Sequence, residues 1–262
     1  GLILGFAIFS FAFAYTEFEK TYDTFWEKSE RIVSPVVEVT DEFASNFSGQ
    51  INTYYTGAME AARADLPMVE EATMITRARW PVKIENTYFP AELVFTDNVF
   101  FKMFDLNFIV GDAAAFETQA EAAILSRSQA MRLFGSVDII GETFEVNYKA
   151  IVQVVGVFED LRLDSHFTGI DNGSDSFGIV VAIETGKKLH PESYYTSWQS
   201  LASSRNVFFL LGEGVDRDLL AKDLTNLTKG RLTERGLEMF KEAKLLSLPD
   251  MHAAQWQEGG IN

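Results

Sequence analysis

Apolar and polar positions alternate in short blocks along most of this chain, and glycine, proline and capping residues punctuate the blocks. The clearest stretch runs from Ala122 to Phe167. Ala123 to Leu125 is a short apolar strand, and Ser126 opens a helix as a capping box in which Gln129, three residues on, reaches back to the cap. Gly135 stops that helix. Gly141 then introduces a strand from Thr143 to Tyr148, and a turn near Asn147 to Lys149 reverses the chain. Ile151 to Phe158 follows, apolar on both faces except at Gln153, the pattern of a buried central strand.

Upstream, Ile32 to Thr40 reads as a strand in which Pro35 marks an edge or a bulge, and Asp41 to Gly49 reads as loop. Ile51, Tyr54, Tyr55, Ala58, Met59 and Ala62 fall at helical spacing, and that helix must end before Pro67 because a residue preceding proline is pushed out of the α region. Val69 to Arg79, Val82 to Tyr88 and Glu92 to Phe95 are three extended runs. Asp97 then caps a short helix carrying Val99, Phe100, Met103 and Phe104, and Leu106 to Asp112 is apolar strand. Near the other end, Val207 to Leu211 is a strand and Asp216 an N-cap. Leu219, Leu220, Leu224 and Leu227 form an apolar stripe, Lys229 is a last-turn cation, and Gly230 is a stop. A final strand covers Ala243 to Leu248. Two strand-helix-strand units thus flank a long strand-rich middle, the arrangement of an α+β fold in which one subdomain is split and a second is inserted into it. No solenoid-length repeat interrupts this order.

The start of the chain departs from the pattern. Leu2 to Ala14 carries no charge, and as helix it spans roughly 20 Å against a hydrocarbon core of about 30 Å, too short to cross alone. Three readings compete: a core helix, a signal-peptide apolar region ending in Ala12-Phe13-Ala14, and the outer part of a transmembrane helix. Tyr15, Phe18, Tyr22, Phe25 and Trp26 extend a helical stripe of aromatics beyond it, so the third reading predicts one continuous, stiff stalk from Tyr15 to Glu30, free of proline and glycine.

Composition narrows the function. With 47% hydrophobic residues over 262 positions the chain can bury a core, and 22 basic against 38 acidic residues give a net charge of -16. Nucleic acid and anionic surfaces are repelled by such a field, and no basic cluster counters it. The absence of cysteine removes thiolate metal sites, disulfides and cysteine nucleophiles. His166, His190 and His252 lie far apart without HxxxH or HExxH spacing, so no common zinc pattern is present. Asp164-Ser165-His166 contains the residue types of a hydrolytic triad, but a tripeptide cannot converge three side chains on one reacting atom, and His166 is expected to be structural. His190 is expected in a loop and His252 near the exit toward the membrane. Asp171-Asn172-Gly173-Ser174-Asp175 lacks the later glycine and glutamate of a calcium loop and is expected as an exposed turn. Gly135, Gly141 and Gly156 match no phosphate-binding loop, so ATP is not expected here. No catalytic, cofactor-binding or metal-binding residue is assigned. The 23 phenylalanines fall mostly within the periodic elements and are expected in the core, while Trp198 and Trp256 are candidates for a partner surface.

The order of strand, capped helix, Phe134-Gly135 stop, Ile140-Gly141, hairpin, Val155-Gly156-Val157 and Asp164-Ser165-His166-Phe167 resembles the periplasmic core domain of MacB-type and FtsX-like ABC transporter permeases. Tyr22-Asp23-Thr24-Phe25, Glu30-Arg31-Ile32-Val33, the Asp97 to Asp112 stretch and Pro249-Asp250-Met251-His252 stand where that family has comparable elements. The segment Asp171 to Ser176 departs from it. The resemblance implies an end of a first transmembrane helix and stalk over residues 1–30, a porter-like subdomain in two halves over 31–92 and 204–262, and an inserted Sabre-like subdomain over 93–203. It also implies a non-enzymatic domain on the periplasmic side of a bacterial inner membrane, moved by a cytoplasmic ABC ATPase. A second permease copy, a periplasmic adaptor or cargo, and the membrane itself are the expected partners. The competing expectation is a secreted or membrane-anchored module that binds an apolar or peptide ligand.

Overall fold

The structure is a computed structural model that describes residues 2–46, 49–168, 177–191 and 194–251. It begins with helix α1 (Leu2–Lys20), followed by strands β1 (Ile32–Val39) and β2 (Gln50–Ile51) and helix α2 (Ala58–Asp65). A long hairpin of β3 (Val69–Ile84) and β4 (Thr87–Thr96) leads to α3 (Asn98–Met103), β5 (Phe108–Gly111), β6 (Ala122–Ser126) and α4 (Arg127–Phe134). Next come β7 (Thr143–Val146), β8 (Ala150–Phe158), β9 (Ile179–Ala182) and α5 (Ile183–Leu189). The chain finishes with β10 (Arg205–Leu211), α6 (Arg217–Lys229), α7 (Glu234–Met239) and β11 (Phe240–Ser247).

The eleven strands among the described residues belong to one mixed sheet. Six of them close a ring in the order β3, β4, β9, β6, β8, β7 and back to β3, with β4–β9 and β6–β8 parallel and the other pairs antiparallel. Strands β10, β1 and β11 extend the sheet outward from β3, and β5 lies outside β8. Val82, Leu93, Leu125, Phe144, Val154 and Val181 fill the ring. On the extension both faces are covered, so every residue of β10 is buried. Val207, Phe209 and Leu211 pack under α2 and α6, whereas Phe208 and Leu210 face a phenylalanine-rich cluster on the other side.

Several local expectations hold. Ser126 accepts the Gln129 N–H at 3.3 Å, and Gly135 closes α4 at φ 75°. Asn147 and Tyr148, at φ 51° and 60°, make the left-handed pair that a tight hairpin turn needs. Asp216 accepts the N–H groups of Asp218 and Leu219.

Tertiary contacts overturn others. Gln129 Oε1 accepts from Arg132, and the Ser126 N–H goes to Gly178 O, so the reverse arm of the capping box is replaced. Asp97 sits at the cap of α3 but spends its carboxylate on Thr73 and Arg63. The helix expected from Ile51 starts only at Ala58, because Thr53 is held extended by its hydroxyl on Arg205 O at 2.5 Å and Tyr54 by Thr228 at 2.7 Å. Pro81 does not divide β3: it faces Pro90, and its carbonyl accepts from Asn147 on the β7 side, so this antiparallel pair is one that exchanges no N–H bonds. Pro35 is not on an edge strand, since β1 lies between β10 and β11. The β1–β10 ladder lapses after Val33, and the Ser34 hydroxyl bridges to Val207 O where the proline has no donor to offer.

The largest correction concerns the stalk. Helix α1 ends at Lys20, and residues 21–28 turn inward, with Asp23 at φ 56° and with Tyr22 and Trp26 buried. The aromatic stripe therefore splits: Tyr15 is exposed on the helix, while its continuation is drawn into the core.

Candidate functional site

The inward turn meets the segment that follows β8. Thr21 Oγ1 lies 2.8 Å from Phe18 O and 2.9 Å from Asp164 Oδ2, which ends the helix and starts the junction. The Asp23 N–H donates to Asp164 O at 2.8 Å. Aspartate tolerates the left-handed backbone that this reversal requires.

The Asp23 side chain is the centre of the site. Its Oδ1 accepts from Ser165 Oγ at 2.7 Å and Trp26 Nε1 at 3.0 Å, and its Oδ2 accepts from His166 N at 3.0 Å and His166 Nδ1 at 2.7 Å. An ionised carboxylate only accepts, so Nδ1 is the proton-bearing nitrogen of His166. Asp23 and Ser165 have no exposed surface, and the chain closes over them with His166 against Phe167 and Trp26 against Phe104 and Phe167. Burial alone would raise the Asp23 carboxyl. The charge and hydrogen bonds of His166, with that of Ser165, outweigh it and hold the group below its ordinary value.

A polar rim surrounds this centre. Arg162 grips Asp164 with two bonds of 2.8 and 2.7 Å, its guanidinium lies 4.8 Å above the Phe25 ring, and it holds the Asp164 carboxyl below the usual range. The site therefore joins two sequence elements, Tyr22-Asp23-Thr24-Phe25 and Asp164-Ser165-His166-Phe167, that lie more than a hundred residues apart. His166 is buried there and bonded to Asp23 through both its amide and its ring. Ser165 and His166 both donate to Asp23 and not to one another, and all are shut away from solvent, so no nucleophile and base are paired. Sequence reasoning quoted Asp23 without giving it a role and passed over Arg162; the left-handed aspartate before a buried tryptophan carries no local signal of its distant partner.

His190 lies in the loop just past α5, as expected, and stacks on Tyr194 with ring centroids 4.3 Å apart. Trp198 packs on Tyr55 and fills the space where a side chain on Gly57 would stand, half-buried at the margin of the core. His252, Trp256 and the Asp171 to Asp175 turn lie outside the described residues. Among the described residues no group of three or more histidines and carboxylates is arranged to hold a metal.

Leu248 and Met251, just after β11, pack into the same cluster as Trp26, Phe104 and Phe167. Both chain connections, the one after α1 and the one after β11, thus enter the domain at one end. A match to the model of the MacB-like periplasmic core domain covers residues 1–227. The chain belongs to that family. Membership makes it a periplasmic or extracellular domain of an ABC transporter permease, in a family whose core domain is not itself catalytic. Solved structures agree on the fold. A domain of a putative permease from Porphyromonas gingivalis matches with a TM-score of 0.66 at 18% identity, over 85% of this chain and 91% of that one. The periplasmic region of MacB from Actinobacillus actinomycetemcomitans matches at 0.57 and 15% identity, over 89% and 95%. The extracellular domain of the noncanonic ABC-type transporter YknZ from Gram-positive bacteria matches at 0.56 and 15%, over 82% and 99%. No curated protein sequence matches the chain. No helix among the described residues is long and apolar enough to cross a membrane. α1 nevertheless exposes Ile3, Phe6, Phe9 and Phe11, which excludes the core-helix reading.

Proposed function

We propose that this domain transmits ATP-driven motion from the membrane to a partner or cargo on the outer side, with a cytoplasmic ABC ATPase and a second permease copy completing the machine. The observation that carries the reading is the meeting of both chain connections in one aromatic cluster beside the Asp23 site. A displacement of α1 relative to the segment after β11 acts there on the whole domain. The exposed apolar surface of α1 is suited to lipid, which supports a globular part held outside a bacterial inner membrane. In this reading the halves 31–92 and 204–262 form a porter-like subdomain and 93–203 a Sabre-like insertion. The long β3–β4 hairpin links them, and its far end offers a groove of about 460 Å³ lined by Trp80, Pro81, Tyr88, Phe89 and Pro90.

The test is a distance measurement in the full permease reconstituted with its ATPase. A spin label at Lys149, on the turn of the far end, is expected to change its distance to the same label on the second copy when ATP is bound. A distance that ignores nucleotide, in a preparation that hydrolyses ATP, overturns the proposal.

A further inference from the structure

The connection from α1 can deliver force along two routes. The covalent one runs through residues 21–31 into β1, which is separated from the six-stranded ring by β10. The other crosses at Asp23 into residues 164–166, which follow the ring strand β8 after the short segment 159–163. We propose that the Asp23 clasp makes α1 and the ring move as one body, so that a displacement of α1 reaches the ring without passing through β1 and β10.

Three observations support this. Asp23 comes only three positions after the last residue of α1, so little chain lies between helix and clasp to absorb a movement. Its four bonds are buried and charge-assisted, and the carboxylate has no exposed surface through which water could replace them. The contacts on the covalent route are of a weaker kind. Arg31 reaches Glu70 and Leu211 O, each at 3.1 Å, and Lys28 reaches Lys102 O, all at sites partly open to solvent, where ion pairs hold little. The ring therefore has the firmer hold on the helix, although β1 is its neighbour in sequence. The inference rests on the reading that α1 is driven from the membrane, but the rigidity it claims is a property of this chain alone.

Because the chain contains no cysteine, pairs of spin labels can be introduced cleanly at exposed positions Ala12, Lys149 and Lys222, on α1, the ring and α6. In detergent the unaltered clasp is expected to give one narrow distance for every pair. Asp23→Asn keeps the backbone preference but removes the charge. It is expected to broaden both distances that involve Ala12 and to leave Lys149–Lys222 narrow. Exchange of the His166 amide hydrogen should accelerate on the order of a hundredfold, as for a buried group losing its charged partner. If Asp23→Asn does not fold, Ser165→Ala removes one of the four bonds to Asp23, together with the Phe167 N–H bond to the same hydroxyl, and is expected to give an intermediate broadening. An Ala12–Lys149 distance that stays narrow in a folded variant overturns the proposal. If nucleotide moves no distance even with the clasp intact, the transmission reading fails while the clasp result stands.

Discussion

The two ends of the β3–β4 hairpin handle polarity in opposite ways. Near its start the polar side chains are tied to one another, Thr73 and Arg63 to Asp97 and Arg31 to Glu70 at the surface, and the saturated carboxylate of Asp23 is fully buried. At the far end polar groups and rings alike lie outside, Glu85, Asn86 and Thr87 exposed and Tyr88 and Tyr148 tilted against each other 5.1 Å apart in solvent beside the groove at Trp80. A buried polar group is costly to leave unpaired, so the first end admits essentially one arrangement. An exposed ring commits the chain to nothing. The difference shows where the fold holds the incoming helix and where it keeps surface free for something else.

Breaking the first end should produce the largest effect. Asp23→Asn is expected to cost about 3–5 kcal/mol, because it leaves the donors of Ser165, Trp26 and His166 aimed at a group that can no longer accept them all. Urea unfolding of the single variants and of Asp23→Asn with His166→Phe checks this, the double variant losing less than the sum by about 0.5–3 kcal/mol.

Acid sharpens the same comparison. Native Asp23 and Asp164 titrate below the ordinary aspartate value of 3.8, which the unfolded chain retains. Above that value both states are ionised and the stabilisation is fully present. As the pH falls through it, the unfolded state takes up protons that the native state refuses, and stability drops until the native values are passed. Thermal unfolding followed downward from pH 5 should show this loss, and in Asp23→Asn the slope should be visibly shallower.

Arg162→Ala removes the rim alone. Its guanidinium is largely exposed while Asp164 is nearly buried, so the expected loss is about 1 kcal/mol, and it should shrink further in high salt. At the far end, Tyr148→Ser should change stability by no more than about 0.5 kcal/mol in either direction, as an exposed ring removed from a turn does. A larger loss there would erase the contrast between the ends.

Much of the fold was legible along the chain. The Ser126 cap, the Gly135 stop, the turn at Asn147 and Tyr148, and the Asp216 cap of α6 all rest on contacts within a few residues, and the structure contains each of them. The readings that failed did so where a distant residue outbid the local signal. Gln129 turned to Arg132 once Gly178 had taken the N–H of Ser126. Residues 51–55 gave up a helix because the Arg205 carbonyl accepts the Thr53 hydroxyl and the Tyr54 hydroxyl pairs with that of Thr228. Pro81 passed through a strand because Pro90 stands opposite. At the site, both halves were visible as motifs and neither revealed the other.

The stalk makes the division plain. Sequence alone determined that an apolar helix precedes the domain, since uncharged residues at helical spacing have few other stable outcomes. It also determined the family, through the order of glycines, caps and strands. It could not determine where the helix ends, because the aromatic stripe continues past Lys20 and Thr21 is no strong breaker. Only the folded chain decided that: the Asp23 carboxylate found its donors in Ser165 and His166, 142 and 143 positions away, and the hydrogen bonds it made there were worth more than another turn of helix.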